Sequence, residues 1–363
     1  MSDPRTDTLA VDLDGTLLRS DMLYESFWAA FRADWRTPLF CGAALLRGRA
    51  HLKEYLARAV RLDVTRLPYD AQVVAFVRDW RARGGHTALV TATHQDIAED
   101  IAAHLGIFDE VYGTDATRNL KGHRKAAFLQ QHFDGRPFAY MGDSAADLAV
   151  WPHADRAITV NARPAIRDRA ETLCARTEHM HTDAGAGPAH ASVLRPWCWL
   201  RNLLVFLPLL AAGESGISTL LWAFLGVFCF TLLDAAFGVI HDLLRLEPHR
   251  TQPATRNGAF ASGRLSIVQG TFLAAGLTTL AGGGALLGGA GFFAVMLAYL
   301  LLSLMLLRLT GQGKAVAAGG AALLWPLRVL AGGLLTGSAV PPWGLALAAI
   351  LGAGITVLRK NRR

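Results

Sequence analysis

Two hydrophobicity patterns divide the chain. Up to about Glu178, short apolar runs alternate with segments that repeat apolar positions at helical spacing. This alternation predicts βαβ units and a parallel sheet. From Trp197 onward, long apolar stretches are broken only by short loops, which predicts membrane-spanning helices. The expected fold is therefore a Rossmann-like α/β domain followed by an all-α, multi-span membrane domain.

Five strands are expected in the N-terminal part. They lie at residues 8–18, 86–91, 110–114, 138–141 and 157–160. Helical spacing is found between them, for example over residues 96–105 and 125–132. About 65 residues separate the first two strands, more than one crossover needs. We expect residues 20–83 to contain a helical cap over the edge of the sheet. The alternative is an ordinary elaboration without a lid role.

Six apolar segments follow, each near the ~20 residues that cross a bilayer. They are residues 197–213, 217–240, 265–287, 289–307, 315–336 and 341–358. Residues 178–193 are rich in Gly, Ala and His and predict a linker. The expected domains are therefore 1–177 and 194–363. Basic residues follow the second, fourth and sixth segments, which predicts a multi-pass protein of the inner (plasma) membrane with both termini and the α/β domain in the cytoplasm.

Composition agrees with this picture. The net charge of +7 fits either nucleic-acid binding or basic cytoplasmic loops. Because the basic residues cluster at the ends of apolar runs, we favour loops and expect no nucleic-acid partner. The four cysteines lack metal-ligand spacing, which fits a reducing compartment. No apolar stretch follows the first residues, so no cleaved signal peptide is expected.

Two carboxylates at the end of the first predicted strand indicate chemistry. Asp12 and Asp14 are two residues apart, so they leave the strand on the same side, and Gly15 lets the chain turn away. Converging acids are costly unless a cation or a reaction uses them.

Three further pieces follow other predicted elements. Thr91 closes the second strand, Lys121 precedes a helix, and the sequence from Gly142 to Asp147 follows the fourth strand. A carboxylate can attack a phosphoryl group, while Mg²⁺ and a cationic side chain stabilise the transition state. For Asp147 alone, a carboxylate at a helix N-terminus is an equally good interpretation.

Over about residues 6–175, these motifs resemble those of the haloacid dehalogenase (HAD) superfamily, and the cap position resembles its phosphoserine-phosphatase-like branch. The resemblance implies that Asp12 is the nucleophile and that Asp14 is the general acid and base. A second acid favours ester hydrolysis over dehalogenation, because an alkoxide leaving group needs a proton.

The resemblance also implies the remaining roles in this site. Lys121 would neutralise charge, and Thr91 and Ala92 would bind phosphate. The expected cofactor is Mg²⁺, with the ligands Asp12, Asp14, Asp143 and Asp147.

The membrane part resembles UbiA-type prenyltransferases, in particular the branch that transfers phosphoribose to decaprenyl phosphate. The resemblance lies in the run from Arg195 to Asn202 and in the basic loop ending at Arg264. Of the family's acidic motif, Asp242 remains. His241 stands in place of the Asn, and Arg245 and His249 stand in place of two acids. Asp234, within the second apolar segment, is expected either to face a polar pocket or to be protonated.

A polar pocket in the membrane part is the remaining candidate site. Its residues are Asn202, His241, Asp242, Arg245, Arg250 and Arg256. Without a metal, His241, Arg245, Arg250 and Arg256 of this pocket, together with Arg264, would hold a lipid phosphate.

Three functions are thus open. The favoured one is a membrane-tethered phosphatase acting on a phosphorylated isoprenoid or sugar-lipid intermediate of envelope synthesis. The second is a prenyl- or phosphoribosyltransferase with an accessory HAD domain, and the third is a non-catalytic membrane scaffold. The expected partners are the lipid bilayer and a polyprenyl or sugar phosphate.

Overall fold

The computed structural model describes residues 8–115, 119–182, 196–308 and 314–361. They divide into two compact units. The first contains the described residues of Met1–Gly187 together with Leu243–Val268. The second contains those of Pro188–Asp242 and Gln269–Arg363. A segment expected in the membrane domain thus belongs to the N-terminal unit.

A six-stranded parallel sheet forms the centre of the first unit. Its strands are β1 (Thr8–Val11), β2 (His86–His94), β3 (Glu110–Thr114), β4 (Phe138–Gly142), β5 (Arg156–Val160) and β6 (Thr177–Met180). Their order is β3-β2-β1-β4-β5-β6. The register aligns Val11 of β1 with Leu89 on one side and Met141 on the other. The central strand therefore ends beside both of its neighbours, and residues that follow it lie at the carboxyl edge.

Among the described residues up to Met180, seven α-helices accompany the sheet, and the short helix Leu246–Thr251 belongs to the same unit. The seven are α1 (Met22–Ala33), α2 (Thr37–Leu46), α3 (Arg49–Ala59), α4 (Ala71–Ala82), α5 (Gln95–Leu105), α6 (His123–Phe133) and α7 (Pro164–Leu173). The helices α1 to α3 share a small core of Ala30, Cys41 and Leu56. Val73 and Val77 of α4 instead join the core of the sheet. The predicted cap region thus holds a three-helix cap and one helix of the α/β layers.

Alternate residues of each strand fill two cores, one on each face of the sheet. Leu9 and Val11 of β1 belong to one core, and Ala10 belongs to the other. All three are completely buried. Burial on both faces explains why the strands appear as short, continuous apolar runs. The predicted parallel-sheet α/β fold is confirmed.

The largest differences from the predicted strands concern β1, β2 and β6. Strand β2 continues to His94 rather than ending at residue 91, so Thr91 lies within it. The first strand ends at Val11 rather than at residue 18, because residues 12–18 turn back and Leu18 N donates to Leu13 O. Residues 178–180, predicted as linker, belong to β6. This edge strand is only partly buried and carries Thr, Glu and His, so it lacks an apolar signal. The rest of the predicted linker, from residue 183, lies outside the described residues.

The second unit is helical. In the described parts of the chain, four helices are long and apolar enough to cross a membrane: Ile217–Leu244, Ile267–Leu287, Ala290–Leu307 and Ala315–Thr336. The first and last of the six predicted spans are the shorter apolar helices Trp199–Ala212 and Pro342–Leu358. The multi-span helical region is confirmed with four candidate spans.

A buried polar network lies inside this unit. The Asp234 carboxylate accepts from Tyr299 Oη at 2.6 Å, Arg201 Nη2 at 3.0 Å and Arg328 Nη2 at 3.2 Å. Arg328 Nε also donates to Asn202 Oδ1 at 2.7 Å. Of the two alternatives for Asp234, the structure supports polar surroundings.

We predict that Asp70→Ala destabilises the first unit by about 2 kcal/mol, because it removes both a helix cap and a buried ion pair. Asp70 caps α4, accepts from Arg19 Nε at 2.9 Å and accepts from Thr182. Native-state hydrogen exchange of strand peptides in the full chain measures the loss.

Asp63→Ala is the matched control, since Asp63 caps a single exposed turn through Thr65 N. It should change the free energy of unfolding by less than about 1 kcal/mol. Equal losses for the two variants would contradict the role given to Asp70.

Candidate active site

The carboxyl edge of the sheet brings the predicted motifs together. Asp12 follows β1, Asp143 follows β4, and both strands end side by side. Gly15 has a φ of +80°, and a Cβ at this position would collide with the Asp143 carboxylate. A Cβ at Gly142 would lie 2.6 Å from the carboxyl carbon of Asp147. The two glycines therefore provide the space in which the acids meet.

Three acids form a cluster at this edge. Asp12, Asp143 and Asp147 each offer a carboxylate oxygen, and these oxygens lie within 4.8 Å of one another. Lys125 Nζ contacts Asp12 Oδ1 at 2.6 Å and Tyr140 Oη at 3.0 Å. Tyr140 Oη donates in turn to Asp147 Oδ1 at 2.7 Å. Lysine and tyrosine thus link the first acid to the last.

Asp147 also shapes the loop after β4. Its Oδ2 accepts from the backbone N of Asp143 at 3.2 Å and from Ser144 N and Oγ, both at 3.0 Å. The side chain is almost completely buried. The surroundings of Asp147 agree with both interpretations of the sequence. It caps the turn after β4, and it also belongs to the acid cluster that fits a metal ion.

Asp14 has different surroundings. Its Oδ1 accepts from Met22 N at 2.7 Å, and its Oδ2 accepts from Thr93 Oγ1 at 3.1 Å. Of the four predicted metal ligands, the structure thus groups three and directs the Asp14 side chain towards the cap. The reason is the turn at Gly15, which places the start of α1 against Asp14.

Burial and mutual repulsion set the charges here. Burial, followed by Asp12 and Asp147, raises the pKa of Asp143 to about 8. Burial, followed by Asp21 and Asp12, raises the pKa of Asp14 to about 7.

Lys125 contacts the acid cluster through Asp12. Burial lowers the pKa of Lys125, but Asp12 and Asp147 raise it more, so the net shift is upward. Among the described residues, Lys125 is the cation that contacts the cluster, so negative charge exceeds positive charge on these carboxylate oxygens, the ligands that Mg²⁺ prefers. The donor set therefore fits a hard divalent cation held by Asp12, Asp143 and Asp147.

A cavity opens beside Asp14 and is lined by both the cap and the sheet. Its lining includes Asp14, Asp21, Met22, Leu23, Ser26, Lys53, Leu56, Ala92, Thr93, His94, Ile97 and Lys121. Lys53 Nζ, from α3, donates to Ala92 O at 2.6 Å. The cap thus contacts the backbone of β2 near the carboxyl end of the strand. The lining combines acidic, basic and apolar residues.

The residues predicted to bind phosphate differ in exposure. Thr91 is completely buried, and its Oγ1 accepts from Thr93 N at 3.1 Å. Ala92 and Thr93 line the cavity. The sequence analysis missed Thr93, although strand periodicity places residues 91 and 93 on one face.

The lysine that meets Asp12 is Lys125, and this corrects the assignment of Lys121. Helix α6 begins at His123 after Gly122, so Lys125 lies in its first turn and is buried. Lys121 precedes the helix and lines the cavity. The sequence analysis missed Lys125 and Tyr140, because helix phase and strand packing, rather than a motif, place them.

The predicted polar pocket of the membrane part is divided between the two units. Asn202, His241 and Asp242 belong to the second unit, whereas Arg245, Arg250 and Arg256 belong to the first. His241 Nδ1 lies 3.3 Å from Asp242 Oδ1. Asn202 accepts from Arg328, and Arg250 donates to Glu25 of the cap. Arg250, one of the arginines expected to hold a lipid phosphate, is therefore paired with a carboxylate of the cap.

Comparison with known proteins shows which protein family the α/β part of the chain resembles. Residues 9–151 match the haloacid dehalogenase-like hydrolase family. This match supports a haloacid dehalogenase-like hydrolase domain in this part of the chain. The HAD resemblance is thus confirmed for this part of the chain.

Two curated relatives extend further. "Uncharacterized protein y4nM" of Sinorhizobium fredii is 35% identical over 344 residues, which are 92% of this chain and 65% of that protein. "Nodulation protein NoeC" of Azorhizobium caulinodans is 27% identical over 173 residues, which are 47% of this chain and 56% of that protein. The chain thus spans less than two thirds of either relative's length.

Similar solved structures align with about half of the chain. A Bordetella pertussis protein of unknown function has a TM-score of 0.39 and 22% identity, over 49% of this chain and 99% of that chain. A substrate-bound phosphoserine phosphatase complex has a TM-score of 0.35 and 16% identity, over 48% of this chain and 93% of that chain.

We predict that Mg²⁺ stabilises the wild-type protein and that Asp143→Asn removes this effect, because it takes a charged oxygen ligand from the cluster. At a free Mg²⁺ concentration 100 times its dissociation constant, the stabilisation should be about 2.7 kcal/mol. Thermal unfolding with and without Mg²⁺ measures it.

Asp96→Asn is the control, since Asp96 is an exposed acid at the start of α5. It should keep the full response to Mg²⁺. A response that survives in Asp143→Asn would count against the cluster as the metal site.

Proposed function

We propose that the chain is a Mg²⁺-dependent phosphomonoester hydrolase that acts through an aspartyl phosphate on Asp12. The observation that carries this proposal is the contact of 2.6 Å between Asp12 Oδ1 and Lys125 Nζ, within the three-acid cluster. Lys125 orients the carboxylate and balances charge on the incoming phosphate. When bound, Mg²⁺ would supply further positive charge for the phosphoryl oxygens.

The first step transfers the phosphoryl group. An oxygen of Asp12 forms a bond to phosphorus while the bond from phosphorus to the ester oxygen breaks. Asp14 gives its proton to the departing alkoxide. Its position supports this role, because Asp14 stands outside the acid cluster and lines the cavity that would receive the leaving group.

The second step releases phosphate. Water attacks the phosphorus of the aspartyl phosphate and gives a proton to Asp14, while the bond between phosphorus and the Asp12 oxygen breaks. Asp12 returns as a carboxylate, and Asp14 returns as an acid. Ester and water are thus converted into alcohol and phosphate.

We propose a phosphorylated isoprenoid or sugar-lipid intermediate of envelope synthesis as the substrate. Two observations support a lipid. The second unit contains four helices apolar enough to cross a membrane, and Met22, Leu23, Leu56 and Ile97 form apolar lining of the cavity. The enzyme would then act at the inner membrane, with its first unit in the cytoplasm.

We assign the C-terminal helices a UbiA-like anchoring role. The intramembrane acid Asp234 is paired with Arg201 and Arg328, and Asp242 is the single acid left of the family motif. One acid next to His241 provides too little negative charge for a metal and a diphosphate. These observations favour hydrolysis over prenyl or phosphoribosyl transfer.

Asp12→Asn should abolish Mg²⁺-dependent phosphate release from p-nitrophenyl phosphate, because it removes the nucleophile. Lys125→Gln should lower kcat/KM about 10³-fold, the scale of losing one preorganised charge contact. Lys121→Gln is the matched control and should cost less than about tenfold. Steady-state assays on the full chain in detergent measure all three.

Radiolabelled phosphate trapped on acid-quenched wild-type protein, and absent from Asp12→Asn, would identify the intermediate. Phosphate release that survives in Asp12→Asn, together with prenyl or phosphoribosyl transfer, would overturn the proposal.

Chain length of the substrate gives a further prediction. Because apolar side chains line the cavity, a polyprenyl phosphate in mixed micelles should be hydrolysed with a kcat/KM at least about tenfold above that of glycerol phosphate. Equal values for the two substrates would remove the support for a lipid substrate and leave the phosphatase chemistry intact.

A further inference from the structure

The first turn of α1 holds Asp14. Met22, the first residue of this helix, donates its backbone N–H to Asp14 Oδ1 at 2.7 Å. Asp21 caps the same turn by accepting from Leu23 N at 2.9 Å. Gly15 N also donates to Ser20 O at 3.2 Å, which closes the turn between Asp14 and the helix. A displacement of α1 would therefore move the carboxylate of Asp14.

A segment far away in the sequence contacts the first turn of α1. Leu243–Val268 joins two candidate membrane helices, yet it belongs to the same compact unit as the sheet and the cap. Arg250 Nη2 contacts Glu25 Oε1 at 2.6 Å, and Arg250 Nη1 contacts Oε2 at 3.2 Å. Glu25 is three residues after Met22, so the pair acts on the turn that bonds Asp14.

Burial makes this pair rigid. The side chains of Glu25 and Arg250 are 4% and 9% exposed, and Ser20 Oγ also donates to Glu25 Oε1 at 2.6 Å. Two-point contact between arginine and a carboxylate fixes orientation as well as distance. A second pair between the same elements, Arg32 with Glu247, has both side chains 48% exposed and constrains α1 far less.

We propose that Arg250 and Glu25 are positioning residues for Asp14. Through this pair, the segment between two membrane helices holds α1 so that its first N–H meets the general acid. This role rests on the proposed function, in which Asp14 protonates the leaving oxygen. Arg250, expected in a lipid-phosphate pocket, thus acts in the phosphatase.

Comparing substrates with different leaving groups distinguishes a displaced Asp14 from a loss of folded protein. A primary alkoxide needs the proton of Asp14 as its bond to phosphorus breaks, whereas p-nitrophenolate is stable enough to leave without it. A displaced Asp14 therefore slows the alkyl ester selectively. Partial unfolding lowers the concentration of active enzyme and reduces both rates by the same factor.

The experiment compares kcat/KM for glycerol phosphate and p-nitrophenyl phosphate, using the full chain in detergent with Mg²⁺. In Arg250→Gln and Glu25→Gln, the alkyl ester should lose at least about tenfold, part of the full effect of a general acid, and the aryl ester less than about threefold. Arg250→Lys keeps the charge but not the two-point contact, and should show a smaller shift of the same sign. Arg32→Gln should leave the ratio unchanged.

Equal losses for both esters, or an unchanged ratio, would overturn the positioning role. If Arg250→Gln and Glu25→Gln do not fold, the ratio in Arg250→Lys decides by the same criterion. Asp12→Asn in the same assay separates the two hypotheses. Phosphate release that persists in Asp12→Asn contradicts the proposed function, whereas an inactive Asp12→Asn with no ratio change in the other variants contradicts only the positioning role.

Discussion

At the carboxyl edge of the sheet, the carboxylates of Asp12, Asp143 and Asp147 lie close together, and Lys125 contacts the first of them. The surrounding groups offset the repulsion between these acids. Buried like charges repel each other unless cations and hydrogen-bond donors compensate them. Lys125 from α6, Tyr140 from β4 and the backbone of the loop after β4 provide this compensation. Gly15 and Gly142 leave the space that side chains would fill. The donor set of Asp12, Asp143 and Asp147 therefore fits a divalent cation.

Two acids separated by one residue acquire different surroundings. Asp12 faces a lysine and two other acids, whereas Asp14 accepts hydrogen bonds from the first N–H of α1 and from Thr93. Environment, rather than residue type, thus distinguishes the two carboxylates, as the proposed roles of nucleophile and proton donor require. The cap takes part directly, because the first N–H of α1 donates to Asp14 and Lys53 of α3 donates to the backbone of β2. Chemistry and cap position are therefore linked through hydrogen bonds.

Local patterns predicted much of the fold and part of the site. Strands buried on both faces produce apolar runs, and acids that follow such runs must meet at one edge, so Asp12 and Asp143 were predictable. Strand β6 was not, because a partly buried edge tolerates Thr, Glu and His. The choice of Lys125 over Lys121 depends on where α6 begins. The pair of Arg250 and Glu25 joins residues 225 positions apart, and no local pattern carries that information.

The compact unit that contains the sheet is discontinuous in sequence, and this affects the order of its synthesis. Glu25 leaves the ribosome 225 residues before Arg250, a delay of roughly 10–45 s at ordinary elongation rates. During that interval Glu25 of α1 lacks its partner Arg250. The helix Ile217–Leu244 must also be made before Leu243–Val268 can reach the cap. The first unit can therefore be completed only after the helix Ile217–Leu244 and the segment that follows it have been synthesised.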